Sequence, residues 1–511
     1  MIKLLRVTSL LSAFVLLLLA IGVQAQDDPS GALVIALSND PTSLYEPNTA
    51  DSAARNAARP LYDSLVSLNE NGEIEPALAT SWEVNGDGTD YIFTLREGVT
   101  FHNGEAFNAE SVIATWRFGQ AETNQDTDVY RDAISVAALD DLTVRITTPE
   151  PNPIFLTHLA TGWWAIPPQY MAEVGIEGFE QAPVGTGPFR FVERIAADRI
   201  VYEANPNYWN SDQPGVSQVT FRIIPDESTR LAAIQTGEVD IVNGLTVDQA
   251  GLLQADPSVD VIAYASDRVY YVGFKNVNNG QGTPLEDPRV RQALNYAVNR
   301  PGIINALFGG EAQLIAGFTL PFNLGYDEAV QPYPYDPEQA QTLLAEAGFA
   351  DGFGIGMGCP ADAYLNINDV CLAIQSDLEA IGVTVDLEIV STNTFWGQPQ
   401  YATVGPMFVD SWASSVGEAL PRLQGALLPG NYYNGWEDAT ITEFIAELDA
   451  TVDRDTRGTL YAELQQYMFE NPPFIYLYAL NQFAAINSRV EGYSPRANDD
   501  YNLNTVTIAG S

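Results

Sequence analysis

The stretch that decides the fold lies at residues 76–118 and reads PALATSWEVNGDGTDYIFTLREGVTFHNGEAFNAESVIATWRF. Within it, Tyr91, Phe93 and Leu95 fall on alternate positions, which is the period of a strand with one buried face. Turn-forming residues stand on both sides of this strand, and Asn108 is placed to cap a helix that follows. The pattern by itself indicates a globular α/β protein.

The first 25 residues have the pattern of a secretory signal peptide. Lys3 and Arg6 precede an apolar run at residues 10–23, and Val23-Gln24-Ala25 is a small-residue cleavage site. A membrane anchor is the less favoured alternative, because this run is shorter than the roughly 20 residues that span a bilayer. With no cysteine near the cleavage site, a lipoprotein anchor is excluded. We therefore expect an exported protein that is periplasmic or secreted, with residues 1–25 removed.

The composition is strongly acidic, with 66 Asp and Glu residues against 23 Lys and Arg and a formal net charge of −43. Such a chain repels phosphate backbones, which argues against nucleic-acid binding. The acidic residues are spread along the chain, as expected for a solvated surface, rather than collected in a tail. A saline habitat and a biased base composition are alternative explanations for this acidity.

The chain has two cysteines, Cys359 and Cys371. Since an exported protein meets an oxidising compartment, we expect one disulfide that closes a short loop and contributes about 3 kcal/mol in the chain-entropy model. Two thiols are too few for a structural zinc site without histidine, and His102 and His158 lie far away in sequence. The sequence therefore predicts neither a metal nor a cofactor.

Helix and strand signals alternate along the rest of the chain. We predict a strand at 33–37, helices opened by Asp287-Pro288 and Asp336-Pro337, a helix at 369–381 stopped by Gly382, and strands that begin near residue 352 and span 383–389. The glycines of residues 352–358 lack the G-x-G-x-x-G spacing of a nucleotide-binding loop. A helix that feeds a strand in this way is typical of α/β architecture.

Several blocks of this sequence, in the expected order, resemble the bacterial extracellular solute-binding proteins of family 5, the peptide/nickel group that serves ABC importers. They are residues 76–118, residues 182–189 (APVGTGPF), residues 287–298 (DPRVRQALNYAV), and Asp40, Pro41 and Leu44 after the first strand. The resemblance implies an α/β fold of the two-lobed periplasmic-binding-protein type, with three discontinuous domains (cluster C). The length of 511 residues also suggests about three domains.

The resemblance also implies domain boundaries. Domain I would take residues 26–68, 183–270 and 488–511, domain II residues 69–182, and domain III residues 271–487. Lobes of this kind close by hinge motion around a buried ligand.

The resemblance implies a protein that binds a solute and leaves it chemically unchanged. The protein would bind an oligopeptide or a similar small solute in a cleft between the lobes and deliver it to an ABC permease, with an ATPase as further partner. We expect a monomer that is not an enzyme. A secreted hydrolase is the alternative from another class, but the sequence has neither a G-x-S-x-G elbow nor an H-E-x-x-H motif. A receptor for a membrane sensor or a chaperone for exported chains is a third possibility.

Cleft residues should be aromatic side chains with a few convergent polar groups. The candidates are Asn39 after the first strand, Trp163 and Trp164 near the end of domain II, Tyr270 and Tyr271 at the crossing into domain III, Trp396 after the strand at 383–389, and Asp410, Trp412 and Ser415. Each aromatic residue in this set can equally serve hydrophobic packing.

Residues 410–415 (DSWASS) bear most directly on the ligand. The resemblance implies a Trp here and, in peptide-binding members, an Asp three residues later that pairs with the peptide α-ammonium. This chain has Trp412 but Ser415 at the acidic position, and a buried ammonium without a counter-charge is costly. Asp410 is a nearby acid that could substitute, and a glycan or another neutral solute is the alternative ligand. Nickel is disfavoured, because two scattered histidines offer little imidazole.

Overall fold

The computed structural model describes residues 31–48, 52–69, 72–121, 124, 128–210, 213–414, 417–497 and 501–509. The predicted signal peptide and Ser415 therefore lie outside the described residues. Within the described ranges the strands are numbered β1 to β19 and the helices α1 to α15, both in chain order. No helix in these ranges is both long enough and apolar enough to cross a bilayer.

The strands are β1 (Ala32–Leu37), β2 (Val66–Leu68), β3 (Ile74–Pro76), β4 (Ala79–Val84), β5 (Asp90–Leu95), β6 (Ser135–Asp140), β7 (Thr143–Thr147), β8 (Phe189–Ile195), β9 (Arg199–Ala204), β10 (Gln218–Ile223), β11 (Ile241–Leu245), β12 (Val259–Phe274), β13 (Ala312–Leu314), β14 (Phe353–Pro360), β15 (Val383–Val390), β16 (Met407–Trp412), β17 (Phe474–Asn487), β18 (Val490–Glu491) and β19 (Thr507–Ile508). The helices are α1 (Ser52–Ala58), α2 (Ala109–Gly119), α3 (Asp128–Arg131), α4 (Phe155–Thr161), α5 (Pro168–Gln181), α6 (Glu227–Gln235), α7 (Val247–Leu253), α8 (Pro288–Ala297), α9 (Arg300–Phe308), α10 (Pro337–Glu346), α11 (Ile367–Glu379), α12 (Thr392–Trp396), α13 (Leu420–Leu427), α14 (Ala439–Ala450) and α15 (Arg454–Glu470).

One mixed sheet runs through the molecule in the order β15-β14-β16-β12-β17-β11-β1-β10-β9-β8, with β13 beside β17. The long strands β12 and β17 pair antiparallel, from Val259 opposite Asn487 to Gly273 opposite Phe474. Near the Val259 end β17 also pairs with β11, which leads to β1, and near the Gly273 end β12 also pairs with β16. Two continuous strands therefore join the two halves of the sheet, as a two-stranded hinge would require.

The stretch that decides the fold forms β4, β5 and α2, and the predictions for it are confirmed. Tyr91, Phe93 and Leu95 are the buried positions of β5, which lies in a second sheet ordered β4-β5-β7-β6. The Asn108 side chain accepts hydrogen bonds from the backbone at the start of α2 and forms a capping box with Ser111. Local sequence is sufficient to predict these elements, because each cap and turn satisfies the hydrogen-bonding groups of backbone only a few residues away.

The other predicted elements are also found, with small shifts at their ends. Asp287 and Asp336 cap α8 and α10, each with proline in the first turn. Helix α11 begins at Ile367 instead of residue 369, because Ile367 packs into the core with 1 % of its surface exposed. It ends at Glu379, and Gly382 follows with a φ of 92°, a backbone conformation that favours glycine.

The described residues form four hydrophobic cores. The large core takes residues 269–479 and Ile154, the small-sheet core takes residues 65–165, the β1 core takes residues 33–62, 164–221 and 484–508, and a fourth, smaller core lies around residues 224–259. The predicted disulfide is confirmed: Cys359 and Cys371 are bonded, fully buried, and belong to the large core. The domain boundaries stay a prediction.

Candidate ligand-binding site

A cavity of about 300 Å³ opens beside the end of β16, and we call it the β16 cavity. Its walls are Arg268, Tyr364, Trp396, Asp410, Ser411, Trp412, Ala413 and Tyr433. The pairing of β16 with β12, in which Tyr270 lies opposite Ser411, brings Arg268 to this edge. Three of the predicted site residues, Trp396, Asp410 and Trp412, thus meet in one place.

The carboxylate of Asp410 holds the walls of the β16 cavity together. Oδ1 accepts hydrogen bonds from the Tyr364 hydroxyl (2.7 Å) and the Ser411 amide (2.8 Å), and Oδ2 accepts from Trp396 Nε1 (3.0 Å) and the Tyr401 hydroxyl (2.7 Å). The residue is 3 % exposed, and burial raises the pKa of its carboxyl above the ordinary value. Because protein donors occupy both oxygens, Asp410 orders the aromatic walls.

Arg268 is the cationic side chain of the β16 cavity. Its Nη1 donates to Ser411 Oγ (2.8 Å), and its guanidinium carbon lies 6.0 Å from the centre of the Tyr364 ring. The side chain is half-buried and forms no ion pair with any residue that the structure describes. A guanidinium without a carboxylate partner, in a chain of net charge −43, is suited to bind a carboxylate brought by a ligand.

The part of the β16 cavity wall formed by Trp412 depends on a glycine in α13. The Trp412 ring lies edge-on to Tyr433, with ring centres 5.6 Å apart, and it covers Gly425 so closely that a Cβ there would be 2.2 Å from the ring. A side chain at position 425 would therefore clash with the Trp412 ring where it now lies.

We expect Gly425→Ala to displace the Trp412 ring, to lower the free energy of unfolding by about 1–3 kcal/mol through overpacking, and to weaken ligand binding about tenfold. Chemical unfolding followed by tryptophan fluorescence measures the change in stability, and titration calorimetry measures the change in ligand affinity. Gly251→Ala is the matched control, since Gly251 lies in helix α7 and a Cβ there meets nothing within 4 Å. If the Gly425→Ala and Gly251→Ala proteins have the same stability and the same ligand affinity, the proposed packing of Trp412 on Gly425 is contradicted.

A single lysine supports the β16 cavity from behind. Lys275 is fully buried, and its Nζ donates to the carbonyl oxygens of Tyr401 (2.9 Å) and Val404 (2.8 Å). Burial lowers the pKa of this ammonium group to about 8. Lys275 thereby fixes the turn that presents the Tyr401 hydroxyl to Asp410.

A second cavity of about 300 Å³ lies where the cores meet, and we call it the junction cavity. It is lined by Leu68, Asn69 and Gly72 of the β2–β3 hairpin, Tyr264, Ala265 and Asp267 of β12, Phe322, Gly417, and Gly492, Ser494, Pro495, Arg496, Ala497, Asn502 and Thr505 of the C-terminal segment. Leu68 packs against the small-sheet core, Tyr264 against the β1 core and Phe322 against the large core. The junction cavity therefore lies between the parts of the molecule that a hinge would move.

A third cavity, of about 360 Å³, adjoins the junction cavity and shares with it Leu68, Asn69, Arg496, Asn502 and Thr505. Half-buried Asp63 lines this cavity and accepts hydrogen bonds from Thr186, Tyr208 and Trp209, and burial raises the pKa of its carboxyl. The predicted residue Trp164 lines this cavity, where it stacks on Tyr62 with ring centres 5.4 Å apart.

The remaining predicted residues lie away from the β16 cavity or behind its walls. Tyr270 packs edge-on behind Tyr364, Tyr271 is fully buried in the large core, Trp163 is buried and donates to the Val129 carbonyl (2.9 Å), and Asn39 is exposed beyond β1. Their roles in ligand binding stay predictions, as does that of Ser415.

Sequence reasoning missed Arg268, Tyr364, Tyr401 and Tyr433. A signal existed for Arg268, which directly precedes Val269-Tyr270-Tyr271 in a chain poor in basic residues. For Tyr364 no local signal exists, because this residue reaches Asp410 across 46 positions of sequence.

The chain is similar to known proteins over most of its length. A model of the bacterial extracellular solute-binding proteins, family 5 (middle), matches residues 73–434. The glutathione-binding protein GsiB of Pectobacterium atrosepticum is 30 % identical over 474 residues, which cover 90 % of this chain and 91 % of GsiB. Among solved structures, HbpA2 of Haemophilus parasuis is 25 % identical with a TM-score of 0.86, over 94 % of this chain and 100 % of HbpA2.

A second solved structure is that of the periplasmic binding protein DppA of Helicobacter pylori in complex with the peptide STSA. It is 25 % identical, with a TM-score of 0.69, over 94 % of this chain and 98 % of DppA. The family model describes solute-binding proteins, and GsiB and DppA are both named as binding proteins. The chain therefore belongs to the bacterial extracellular solute-binding proteins of family 5.

Proposed function

We propose that this protein is the extracytoplasmic receptor of an ABC importer and that it captures a short peptide, or a peptide-like solute, by its carboxylate. The observation that carries this proposal is the position of Arg268, a cation without an acidic partner among the described residues, in the aromatic β16 cavity. The monomeric receptor would work outside the inner membrane once the signal peptide is removed, and it would release the solute unchanged to a permease.

The residues of the cavity have distinct tasks in this proposal. Arg268 donates paired hydrogen bonds to the ligand carboxylate, and Trp396 and Trp412 contact its apolar parts. Asp410 keeps the walls in place before the ligand arrives, which lowers the entropy lost on binding. Bending of β12 and β17 would then close the lobes, and exclusion of water would strengthen each of these hydrogen bonds.

The relatives support a ligand with this chemistry. GsiB is named for binding glutathione, a tripeptide-like solute that carries two carboxylates, and DppA was solved with a peptide. An anchor for a carboxylate suits both ligands, and it does not require an acid at Ser415.

The proposal is tested by titration calorimetry with glutathione, with the peptide Ala-Ala-Ala and with its C-terminal amide. We expect the free acids to bind and the amide to bind more weakly. Arg268→Gln should weaken binding of the acids roughly 10- to 100-fold, because a hydrogen bond to a charged group contributes about 1.5–3 kcal/mol.

The matched control is Arg199→Gln, which removes a partly exposed arginine of β9 that pairs with Glu193 and Asp198, and it should leave affinity unchanged. Equal affinity of wild-type protein for the acid and the amide would contradict the carboxylate anchor. Binding of oligosaccharides without any binding of peptides would favour the glycan alternative instead.

A further inference from the structure

The disulfide bond closes the segment of chain that brings Tyr364 to the β16 cavity. Strand β14 and helix α11 are joined by residues 361–366, which we call the Tyr364 loop. Cys359 lies near the end of β14 and Cys371 lies in α11, so the bond links the two elements between which the loop runs. Both cysteines are fully buried, whereas every residue of the loop is half-buried or exposed. The bond therefore fixes the ends of a surface loop from inside the large core.

Asp362 and Asn368 form a second link across the Tyr364 loop, which we call the polar clamp. Asn368 Nδ2 donates to Asp362 Oδ1 (2.7 Å), and the Asp362 amide donates to Asn368 Oδ1 (3.3 Å). Asn366 Nδ2 also donates to the carbonyl of Leu307 (2.8 Å) in α9. The φ angles of Asp362 and Asn366 are 52° and 54°, a left-handed conformation that Asp and Asn adopt more readily than most residues. The loop conformation thus depends on several specific links to the elements around it.

Tyr364 is the residue through which this loop reaches the β16 cavity. Its hydroxyl donates to Asp410 Oδ1 (2.7 Å), and its ring centre lies 6.0 Å from the guanidinium carbon of Arg268. The ring is also edge-on to Trp396, with ring centres 6.2 Å apart. One side chain thus contacts the cation, the buried acid and an aromatic wall of the cavity, and a shift of the loop would disturb all three contacts.

We propose that the Cys359–Cys371 disulfide is a positioning element of the ligand site. Together with the polar clamp, it holds the loop so that the Tyr364 ring orients Arg268 toward the ligand carboxylate. This inference rests on the proposed function, in which Arg268 holds that carboxylate. Both cysteines lie outside the described walls of the β16 cavity, so the bond acts on the ligand through Tyr364. A wall that is ordered before the ligand arrives lowers the entropy lost on binding.

The short span of the disulfide supports a positioning role. The stabilisation that a disulfide gives through the unfolded chain grows with the number of residues that it encloses. This bond joins positions only 12 apart, although it lies in a core that draws on residues 269–479. What it encloses is the Tyr364 loop, whose conformation decides where the Tyr364 side chain lies.

The test removes the disulfide and measures the affinity for Ala-Ala-Ala by titration calorimetry, with near-UV circular dichroism to show that each protein is folded. The variant Cys359→Ala/Cys371→Val keeps apolar side chains in the core but leaves the two elements unlinked. It should bind roughly fivefold more weakly than wild-type protein, because the loop must then be ordered on binding. Leu378→Ala is the matched control, since Leu378 is fully buried near the other end of the same helix. That truncation should lower stability and leave affinity unchanged.

A double-mutant cycle with Tyr364→Ala distinguishes positioning from a general loss of stability. In the disulfide-bonded protein, Tyr364→Ala should weaken binding about tenfold, because the ring and its hydrogen bond to Asp410 are lost. Removal of the disulfide from the Tyr364→Ala protein should then change affinity by less than about twofold, since the side chain through which the bond acts is absent. Losses of affinity that multiply in the combined variant would overturn the inference, as would full affinity of Tyr364→Ala.

Asn368→Ala keeps the test decisive if the disulfide-free protein does not fold, because it opens the polar clamp at a half-buried position and leaves the disulfide in place. It should weaken binding about threefold in wild-type protein and have no further effect in the Tyr364→Ala protein. Unchanged affinity of the folded disulfide-free protein, or of Asn368→Ala, would overturn the inference while the carboxylate anchor stands. The absence of peptide binding by wild-type protein would overturn both proposals.

Discussion

Replacement of Asp410 by asparagine is expected to lower the free energy of unfolding by roughly 3–6 kcal/mol and to weaken peptide binding more than tenfold. The carboxylate accepts four hydrogen bonds, two of them from Trp396 Nε1 and the Ser411 amide, which can only donate. Asparagine has one acceptor oxygen, and its amide group would face donors, so at least two charge-assisted bonds at about 1.5–3 kcal/mol each would be lost. The aromatic walls of the β16 cavity would then lose their common anchor.

Chemical unfolding followed by tryptophan fluorescence, together with titration of Ala-Ala-Ala, measures both consequences. Asp386→Asn is a suitable control, since Asp386 is exposed on strand β15 and its replacement should change the stability by less than about 0.5 kcal/mol. A cost below about 1 kcal/mol for Asp410→Asn would mean that the carboxyl is protonated at neutral pH and donates to one of the tyrosines. In that case the ionised carboxylate would not be the group that anchors the aromatic walls.

The parts of the fold that could be predicted are those fixed by neighbours in sequence. Asn108, Asp287 and Asp336 satisfy backbone groups within three residues, and the alternation of β5 reports burial directly. The disulfide followed from the compartment and the number of cysteines. In each case the physical cause acts over a short range or depends on composition, so it does not require knowledge of the tertiary packing.

The candidate site could be predicted only in part, because its remaining residues arrive through tertiary contacts. Trp396, Asp410 and Trp412 were predicted separately as cleft residues, and they line one cavity. Arg268 reaches Ser411 across 143 positions of sequence, through the register of β12 with β16. Conversely, Tyr271 is aromatic like the cavity residues but lies in the large core. The packing of the sheet determines which face of a strand adjoins a cavity, and the local sequence does not report it.

The largest effect on stability away from the cavity is expected at the buried pair of Glu418 and Arg457. Arg457 Nε and Nη2 donate to the two carboxylate oxygens at 2.9 and 2.6 Å, and the Tyr461 hydroxyl adds a third hydrogen bond at 2.9 Å. Both side chains are only 4 % exposed. Because Glu418→Gln would leave a buried guanidinium without its counter-charge, we expect it to cost about 3–5 kcal/mol.

A double-mutant cycle distinguishes the interaction energy between Glu418 and Arg457 from the cost of lost packing. Glu418→Leu and Arg457→Met should each be costly, whereas the double variant Glu418→Leu/Arg457→Met should recover most of the stability, since no charge remains buried. Glu193→Gln breaks the partly exposed pair with Arg199 and should cost less than about 1 kcal/mol. If the loss of stability in the double variant equals the sum of the losses in the two single variants, the proposed interaction between Glu418 and Arg457 is contradicted.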